Sequence, residues 1–432
     1  MLSDMSNSLD GSLDALLDAW NVDRCRALFP ALAGGDDFVL FDNAAGAQIP
    51  QTVLDAVTEH LIKRNVQRGG RYRKSIEVDE SIARARASVA MFVNARSADE
   101  ICFGMNATSF LRLVSLGIAE TLSSRNEIVV TDLDHEANIA VWLALERHGA
   151  SIRWWRMRED GRLHAEDLEA VLGARTRLVA CTVASNVLGS LLDVRAVADR
   201  VHAAGAELMV DAVHYGPHGL LDVQQFDCDY MVCSGYKIFA PHMGFLWGKS
   251  EVLDRLPTFR EDFIPDKAPG KIEAGTFIYE NVAGMDAAVR YLESLGRDEG
   301  LQGRRQHLES GMRKIRQYEA GLSEAMLKGL ADIRGVTVYG IQDVAQIADR
   351  VPTVCFNVGA VAPSQVCERL AAAGIAVRDG HMYAPRLMKR LGVTEAGVVR
   401  ASLLHYNTQQ EIQRFLAVVA EIAGIFPSTH VS

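Results

Sequence analysis

A chain of 432 residues is long enough for two domains, or for one large domain carrying a smaller one. Hydrophobic residues make up 49% and charged residues 23%, so the chain can bury a globular core and is not of the disordered class. The net charge of −10, with no long basic run, argues against nucleic acid or an anionic membrane surface as the main partner, but leaves anionic small molecules within reach of local arginines. Seven cysteines (Cys25, Cys102, Cys181, Cys228, Cys233, Cys355 and Cys367) are odd in number and form no C-x-x-C pair, which speaks against a disulfide framework or a zinc site. The acidic start "MLSDMSNSLDGSLDALLDAW" lacks the basic and apolar regions of a secretory signal, and no apolar run reaches membrane-spanning length. A cytoplasmic protein is expected.

Along the chain, about the first fifteen residues are expected to be loosely ordered, and "LDALLDAWNVDRCRALFPAL" has helical spacing. From residue 37 to about 290, strand and helix signals alternate. "EIVVTDL" precedes helical "HEANIAVWLALERHG"; strand-like "SIRWWRM" precedes helical "HAEDLEAVLGA". "RLVACTVAS" leads to the helix "VRAVADRVHAAG", and then come "ELMVDAVHY", "DYMVCSGYK" and "GFLWGK". Continuous apolar runs separated by amphipathic helices predict an α/β fold, with a parallel sheet covered on both faces and ligands beyond the carboxyl ends of its strands. A polar, proline-containing loop is predicted over 255–275, then the helices "ENVAGMDAAVRYLESLG" and "RRQHLESGMRKIRQYEAGLSEAMLKGLADI". Strand-like "VTVYGI", "TVCFNVG" and "IAVRDG", the helix "APSQVCERLAAAG" and a last strand and helix over "VVRASLLHYNTQQEIQRFLAVVAEIAGIF" complete a smaller α+β unit.

Four features could carry chemistry. Lys237 follows the apolar run "YMVC" inside "VCSGYKIFAPHMGFLWG". Burial disfavours its ammonium form, and a neutral amine is what Schiff-base chemistry requires; a lysine snorkelling to the surface is the other reading. Asp211 ends the strand "ELMVD", where a carboxylate can pair with a pyridinium nitrogen, as in pyridoxal phosphate sites, or serve as a plain loop or capping residue. His135 stands at a strand end, where its ring could stack on a flat cofactor or simply face solvent. "GMNATSF" opens a helix with small and hydroxylic residues suited to phosphate, although many βα turns share that look.

Their order along the chain is the informative part. The sequence resembles the class V aminotransferases of pyridoxal phosphate (PLP) fold type I, and among them the cysteine desulfurases, from about residue 37 to 425. The likeness rests on "FVLFDNAAGAQIP", "LDHEANIAVW", "ASNVLGS", "VDAVHY", "CSGYKIFAPHMGFLWG", "KIEAGTFIYENVAGM" and "VVRASLLHYNT". It implies a large domain (37–290) with a mainly parallel seven-stranded sheet, a smaller α+β C-terminal domain (291–432) and an N-terminal segment (1–36) packing with the latter. It implies pyridoxal 5'-phosphate and no metal. Lys237 would form the Schiff base, Asp211 pair with the pyridine nitrogen and His135 stack on the ring. Ser234, with the helix start at Asn106, Ala107 and Thr108, would hold the phosphate. Thr276 would reach the phosphate of a neighbouring subunit, giving a homodimer with shared sites. Asn186 would lie near cofactor and substrate carboxylate, and Arg400 would bind that carboxylate with its fork.

Three positions depart from the family pattern. Tyr236 stands where desulfurases have a histidine, and His214 where they have a glutamine on the cofactor's phenolic oxygen. In the loop "RDGHMYA", Tyr383 occupies the place of the desulfurases' nucleophilic cysteine; Arg378 and Tyr383 are expected beside the substrate. A phenol cannot take up sulfane sulfur, so a persulfide relay is not expected. The resemblance then implies a lyase acting on an L-amino acid by β-elimination or other Cβ-bond cleavage, such as C–S lysis. Cβ decarboxylation with carbon–carbon bond formation, transamination, epimerisation and an inactive cofactor-binding scaffold are the alternatives. The basic stretch "RNVQRGGRYRKS" (64–75) either lines the site, implying a second acidic group on the substrate, or is a solvated loop.

Overall fold

The computed structural model describes residues 20–34, 38–273, 275–298 and 300–424. Strands β1 (Ile101–Gly104), β2 (Glu127–Thr131), β3 (Ser151–Trp155), β4 (Thr176–Thr182), β5 (Glu207–Asp211), β6 (Tyr230–Ser234) and β7 (Gly244–Gly248) form one sheet in the order β1-β7-β6-β5-β4-β2-β3. The five strands from β6 to β3 are mutually parallel, whereas β7 runs antiparallel to both β6 and β1. The link over 235–243 is too short to hold a crossover helix, so β7 must return antiparallel. Successive side chains alternate between faces. Val179, Val210 and Phe245 join one core with Val89 and Phe92 of helix α2. Leu178, Met209 and Leu246 join another with Leu111 and Val114 of helix α3. Around this sheet lie α1 (Gln51–Arg64), α2 (Arg73–Val93), α3 (Ala107–Glu120), α4 (Ala137–Leu143), α5 (Val194–Ala203) and α6 (Tyr279–Ser294).

A second sheet, wholly antiparallel, has the order β10-β11-β9-β8, with β8 (Val336–Tyr339), β9 (Thr353–Val358), β10 (Arg378–Gly380) and β11 (Val398–Ser402). Helices α7 (Arg304–Ala331), α8 (Pro363–Ala372), α9 (Pro385–Arg390) and α10 (Gln409–Gly424) accompany it. Val39 and Phe41 pack into this second core, and Val39–Leu40 pairs in parallel with Ile375–Ala376. Helix α7 joins the two cores: Leu308, Met312 and Ile315 pack into the first, Tyr318, Leu322, Met326 and Leu330 into the second. No helix among the described residues is long and apolar enough to cross a membrane.

The structure differs from the sequence-based elements in three places. The N-terminal helical stretch, where it is described, is two short helices, Val22–Arg26 and Pro30–Ala33. Pro30 disfavours helical backbone at the preceding residue, and Phe29 is extended (φ −108°, ψ 110°); residues 1–19 lie outside the described residues. "HAEDLEAVLGA" forms only a 3₁₀ stretch over Ala165–Ala170, whose one buried side chain, Leu168, gives little packing to extend it. "IAVRDG" splits into two short pieces that pair with different strands.

The long loop after β7 is tied back by a bidentate ion pair. Arg86 of α2 donates to Glu273 Oε1 at 2.7 Å and Oε2 at 3.0 Å, and the Phe103 N–H of β1 donates to Oε1 at 2.8 Å. Both side chains are almost fully buried. Removing one partner of such a pair leaves an uncompensated charge. Arg86→Leu is expected to lower stability by about 3–5 kcal/mol, read from urea unfolding; an unchanged midpoint would show that the pair anchors nothing.

Candidate active site

Strand β6 ends at Ser234, and a 3₁₀ turn over Gly235–Lys237 carries the lysine into the molecule beyond the strand ends. Gly235 is required there, because a Cβ would stand 2.7 Å from the Pro241 carbonyl oxygen. Lys237 is only 7% exposed. Burial, with a smaller contribution from the Arg400 guanidinium, lowers its amine to about 8, opposed in part by Asp211. The amine is thereby available in neutral form near neutral pH.

Lys237 lines a cavity together with Ala107, Thr108, His135, Asp211 and His214. Asn186, Ser234 and Tyr236 also face it. Asp211 sits at the carboxyl end of β5, its Oδ1 accepting from the Val213 N–H at 2.9 Å. Burial raises this carboxyl, and the Val213 N–H and Lys237 pull it down. The His135 Nδ1 accepts from the Ala137 N–H at 3.1 Å, which leaves the ring proton on Nε2. Burial first, then Lys237 and Arg400, lower this ring to about 4, so it is an uncharged flat surface. Ser234 Oγ accepts from the Ala107 N–H at 3.2 Å in the first turn of α3. Gly244 lets β7 approach that turn, since a Cβ would lie 2.7 Å from the Asn106 backbone.

Arg400 of β11 is 3% exposed, and its guanidinium acts on both Lys237 and His135. Its Nη1 donates to the Asn186 carbonyl at 3.0 Å and its Nη2 to Asp42 Oδ1 at 3.2 Å, while its buried Nε has no partner. Arg378 donates to the same Asp42 through Nε and through Nη2 at 2.7 Å. Tyr383 is 57% exposed, with its ring 5.5 Å from that of His135. Met382 and Tyr383 both have left-handed backbone, φ 50° and 58°, an unfavourable conformation for non-glycine residues. The loop is clamped in it: Asn186 Nδ2 donates to the Met382 carbonyl and the Glu136 N–H to the Tyr383 carbonyl, each at 2.8 Å.

Most of the expected residues thus converge, with five exceptions: Arg400 and Tyr383, described above, are not among the residues that line the cavity, and neither are three others. The Asn106 side chain caps α3, accepting from the Ser109 N–H at 2.9 Å, and does not line the cavity. Thr276 is exposed and outside this cavity, where its hydroxyl accepts from Gln67 Nε2. Arg378 is engaged with Asp42 rather than facing the cavity. Two acidic residues were not singled out from the sequence. Asp42 follows the apolar pair Leu40–Phe41, the same strand-end signal that pointed to Asp211. Asp134, bonded to Thr131 Oγ1 and Asn138 Nδ2, fixes the turn that carries His135; burial pushes its carboxyl up to about 7. None of the seven cysteines lines the cavity. Cys355 Sγ donates to the Val187 carbonyl at 2.9 Å inside the core, and burial raises the Cys367 thiol to about 12.

The cavity fits pyridoxal 5'-phosphate. Two buried polar atoms facing it, Asn186 Oδ1 and His214 Nδ1, have no partner in the protein. The start of α3 offers the Thr108 N–H and side chain to a phosphate, the Ala107 and Ser109 N–H groups being bonded to Ser234 and Asn106. Lys237, Asp211 and the uncharged ring of His135 surround the space between.

Comparison with known proteins agrees with this geometry. The family model for class-V aminotransferases matches residues 39–415. The chain is 33% identical over 412 residues to the aminotransferase-like protein FGM3 of Gibberella zeae, covering 93% of this chain and 98% of that one. It is also 33% identical over 429 residues to a cysteine desulfurase of Pectobacterium atrosepticum, covering 95% of this chain and all of the relative. The apo structure of a cysteine desulfurase from Thermococcus onnurineus superposes with a TM-score of 0.84 at 27% identity, covering 94% of this chain and 98% of that one. The Escherichia coli cysteine desulfurase CsdA gives 0.82 at 27% identity, covering 94% and 100%. The architecture is PLP fold type I, and this chain belongs to the class-V aminotransferase family, enzymes that use pyridoxal 5'-phosphate and among which its relatives include the cysteine desulfurases.

Proposed function

We propose that this enzyme is a lyase that acts on an L-amino acid, breaking a bond at Cβ without passing sulfur to a protein thiol. The observation that carries the reading is the convergence of Lys237, Asp211 and His135 on one cavity that no cysteine lines, with the phenol ring of Tyr383 5.5 Å from that of His135. When bound, pyridoxal 5'-phosphate supplies an electron sink for negative charge at the substrate's Cα. Lys237 is the residue that would hold the cofactor and would move the proton at Cα; its lowered basicity suits both tasks. Asp211 keeps the pyridine nitrogen protonated and His135 covers one ring face. Ser234, Ala107 and Thr108 hold the phosphate, with Tyr236 beside them. Arg400 takes the substrate carboxylate, for which its unpartnered Nε is suited. Asn186 and Tyr383 flank the substrate, and Arg378 steadies Asp42 behind Arg400.

The same reading includes a cytoplasmic homodimer, in keeping with seven free thiols. Thr276, exposed and remote from its own cavity, is free to reach the phosphate of a partner's site. A division near residue 290 into cofactor-binding and smaller units is supported by the separate second core, whereas the described N-terminal residues meet both cores: Cys25 and Phe29 pack into the first and Val22 lies against the second.

Incubation with a panel of L-amino acids, with product identification by mass spectrometry, tests the reaction. β-Substituted substrates are expected to yield the eliminated group. Carbon–carbon bond formation with an added carbonyl acceptor, amino transfer or epimerisation would overturn the Cβ-lyase assignment, and no spectral response to any amino acid would favour a scaffold. Lys237→Ala should lower turnover at least about a hundredfold; retained turnover would remove the lysine from the mechanism. In apo-protein, covalent uptake of added cofactor by Lys237 should accelerate as pH rises through about 8, where the amine loses its proton. A midpoint at the ordinary lysine value of 10.5 would show the amine to be solvated. Incubation with cysteine should leave no persulfide on any of the seven cysteines; a sulfur adduct on one of them would restore the relay.

A further inference from the structure

His214 is buried behind the cavity, and nothing in the family pattern accounts for how its ring is held. Its Nε2 lies 3.0 Å from Thr353 Oγ1 on β9. Its Nδ1 is buried, unpartnered and on a residue that lines the cavity. The groups acting on the ring are Lys237 and Arg400 about the cavity and His218, which packs edge-on at 5.5 Å. His218 is itself fixed by Glu319 of α7, its Nδ1 2.8 Å from Oε2. Burial, with the charges of Lys237 and Arg400, keeps the His214 imidazole neutral, so it carries one proton on one of two nitrogens.

The hydroxyl of Thr353 decides which. Among the described residues it has no other hydrogen-bond partner than His214 Nε2. If Nε2 carried the proton and donated it, the buried hydroxyl hydrogen would be left without an acceptor, at the full cost of an unmade bond. If the hydroxyl donates to Nε2, both groups are satisfied, and the ring proton must sit on Nδ1. We propose that Thr353 is a positioning residue that fixes the tautomer of His214, so that an Nδ1–H donor faces the anionic ring oxygen of the bound cofactor. A threonine hydroxyl two strands into the smaller sheet then sets a hydrogen bond at the cofactor pocket. The inference rests on the cofactor standing in the cavity described above.

The test is a pH titration of the cofactor's visible absorbance in purified holoenzyme. The form that has lost its proton carries more negative charge on the ring oxygen and gains more from a donor, so the donor lowers the midpoint. His214→Leu should raise the midpoint by about one pH unit, the worth of one hydrogen bond to a charged group. Thr353→Val should raise it part of the way, and Thr353→Ser, which keeps the hydroxyl, should restore it. In a His214→Gln background the carboxamide N–H donates without a tautomer to choose, so Thr353→Val should no longer move the midpoint. A Thr353→Val midpoint equal to the wild type, or an equal shift in the His214→Gln background, overturns the assignment. A wild-type protein that takes up no cofactor overturns the reading of the cavity itself, and is distinguished by the absent absorbance band.

Discussion

Burying the ammonium of a lysine without a close ion-pair partner is among the more costly things a fold can do, and Lys237 is held in that condition. The amine responds by becoming a weaker base, and the same burial makes Asp211 a weaker acid. Each moderates the other's shift. The rest of the architecture serves this arrangement. The parallel strands β4 to β6 put their carboxyl ends in one row, so Thr182, Asp211 and Ser234 reach the cavity from successive strands. The antiparallel β7 then places Gly244 against the start of α3, closing the far side.

A second electrostatic arrangement joins one carboxylate to two arginines. Asp42 holds both Arg378 and Arg400, so two guanidinium groups and one carboxylate leave a single net positive charge. That pairing spares the interior an unpaired cation. It also couples three distant parts of the chain, since Asp42 follows the Val39–Leu40 pairing while the arginines lie on adjacent strands β10 and β11.

The apolar runs made the large sheet legible, because strands covered on both faces must be hydrophobic along their length. Lys237, Asp211 and His135 were legible for a related reason: each is a polar residue at the end of such a run. Much of what escaped the sequence depended on contacts remote in the chain, although Asp134 is held by near neighbours. Asp42 has meaning only beside two arginines more than three hundred positions away, and Thr353 only beside His214. Asn106 looked like a phosphate ligand, but a helix start uses the same residue types to cap itself. The helix expected near the N-terminus failed at Pro30, where a local backbone restriction overrides the apolar periodicity.

Helix α7 has a further consequence. Its 28 residues form a continuous element whose first turns belong to one core and whose later turns belong to the other. Neither core can lose its share of that helix without stripping apolar surface from the end that serves its neighbour. The helix also carries Glu319, which reaches the buried His218 of the larger unit. Two sheets that share no strand are therefore coupled through the packing of one helix.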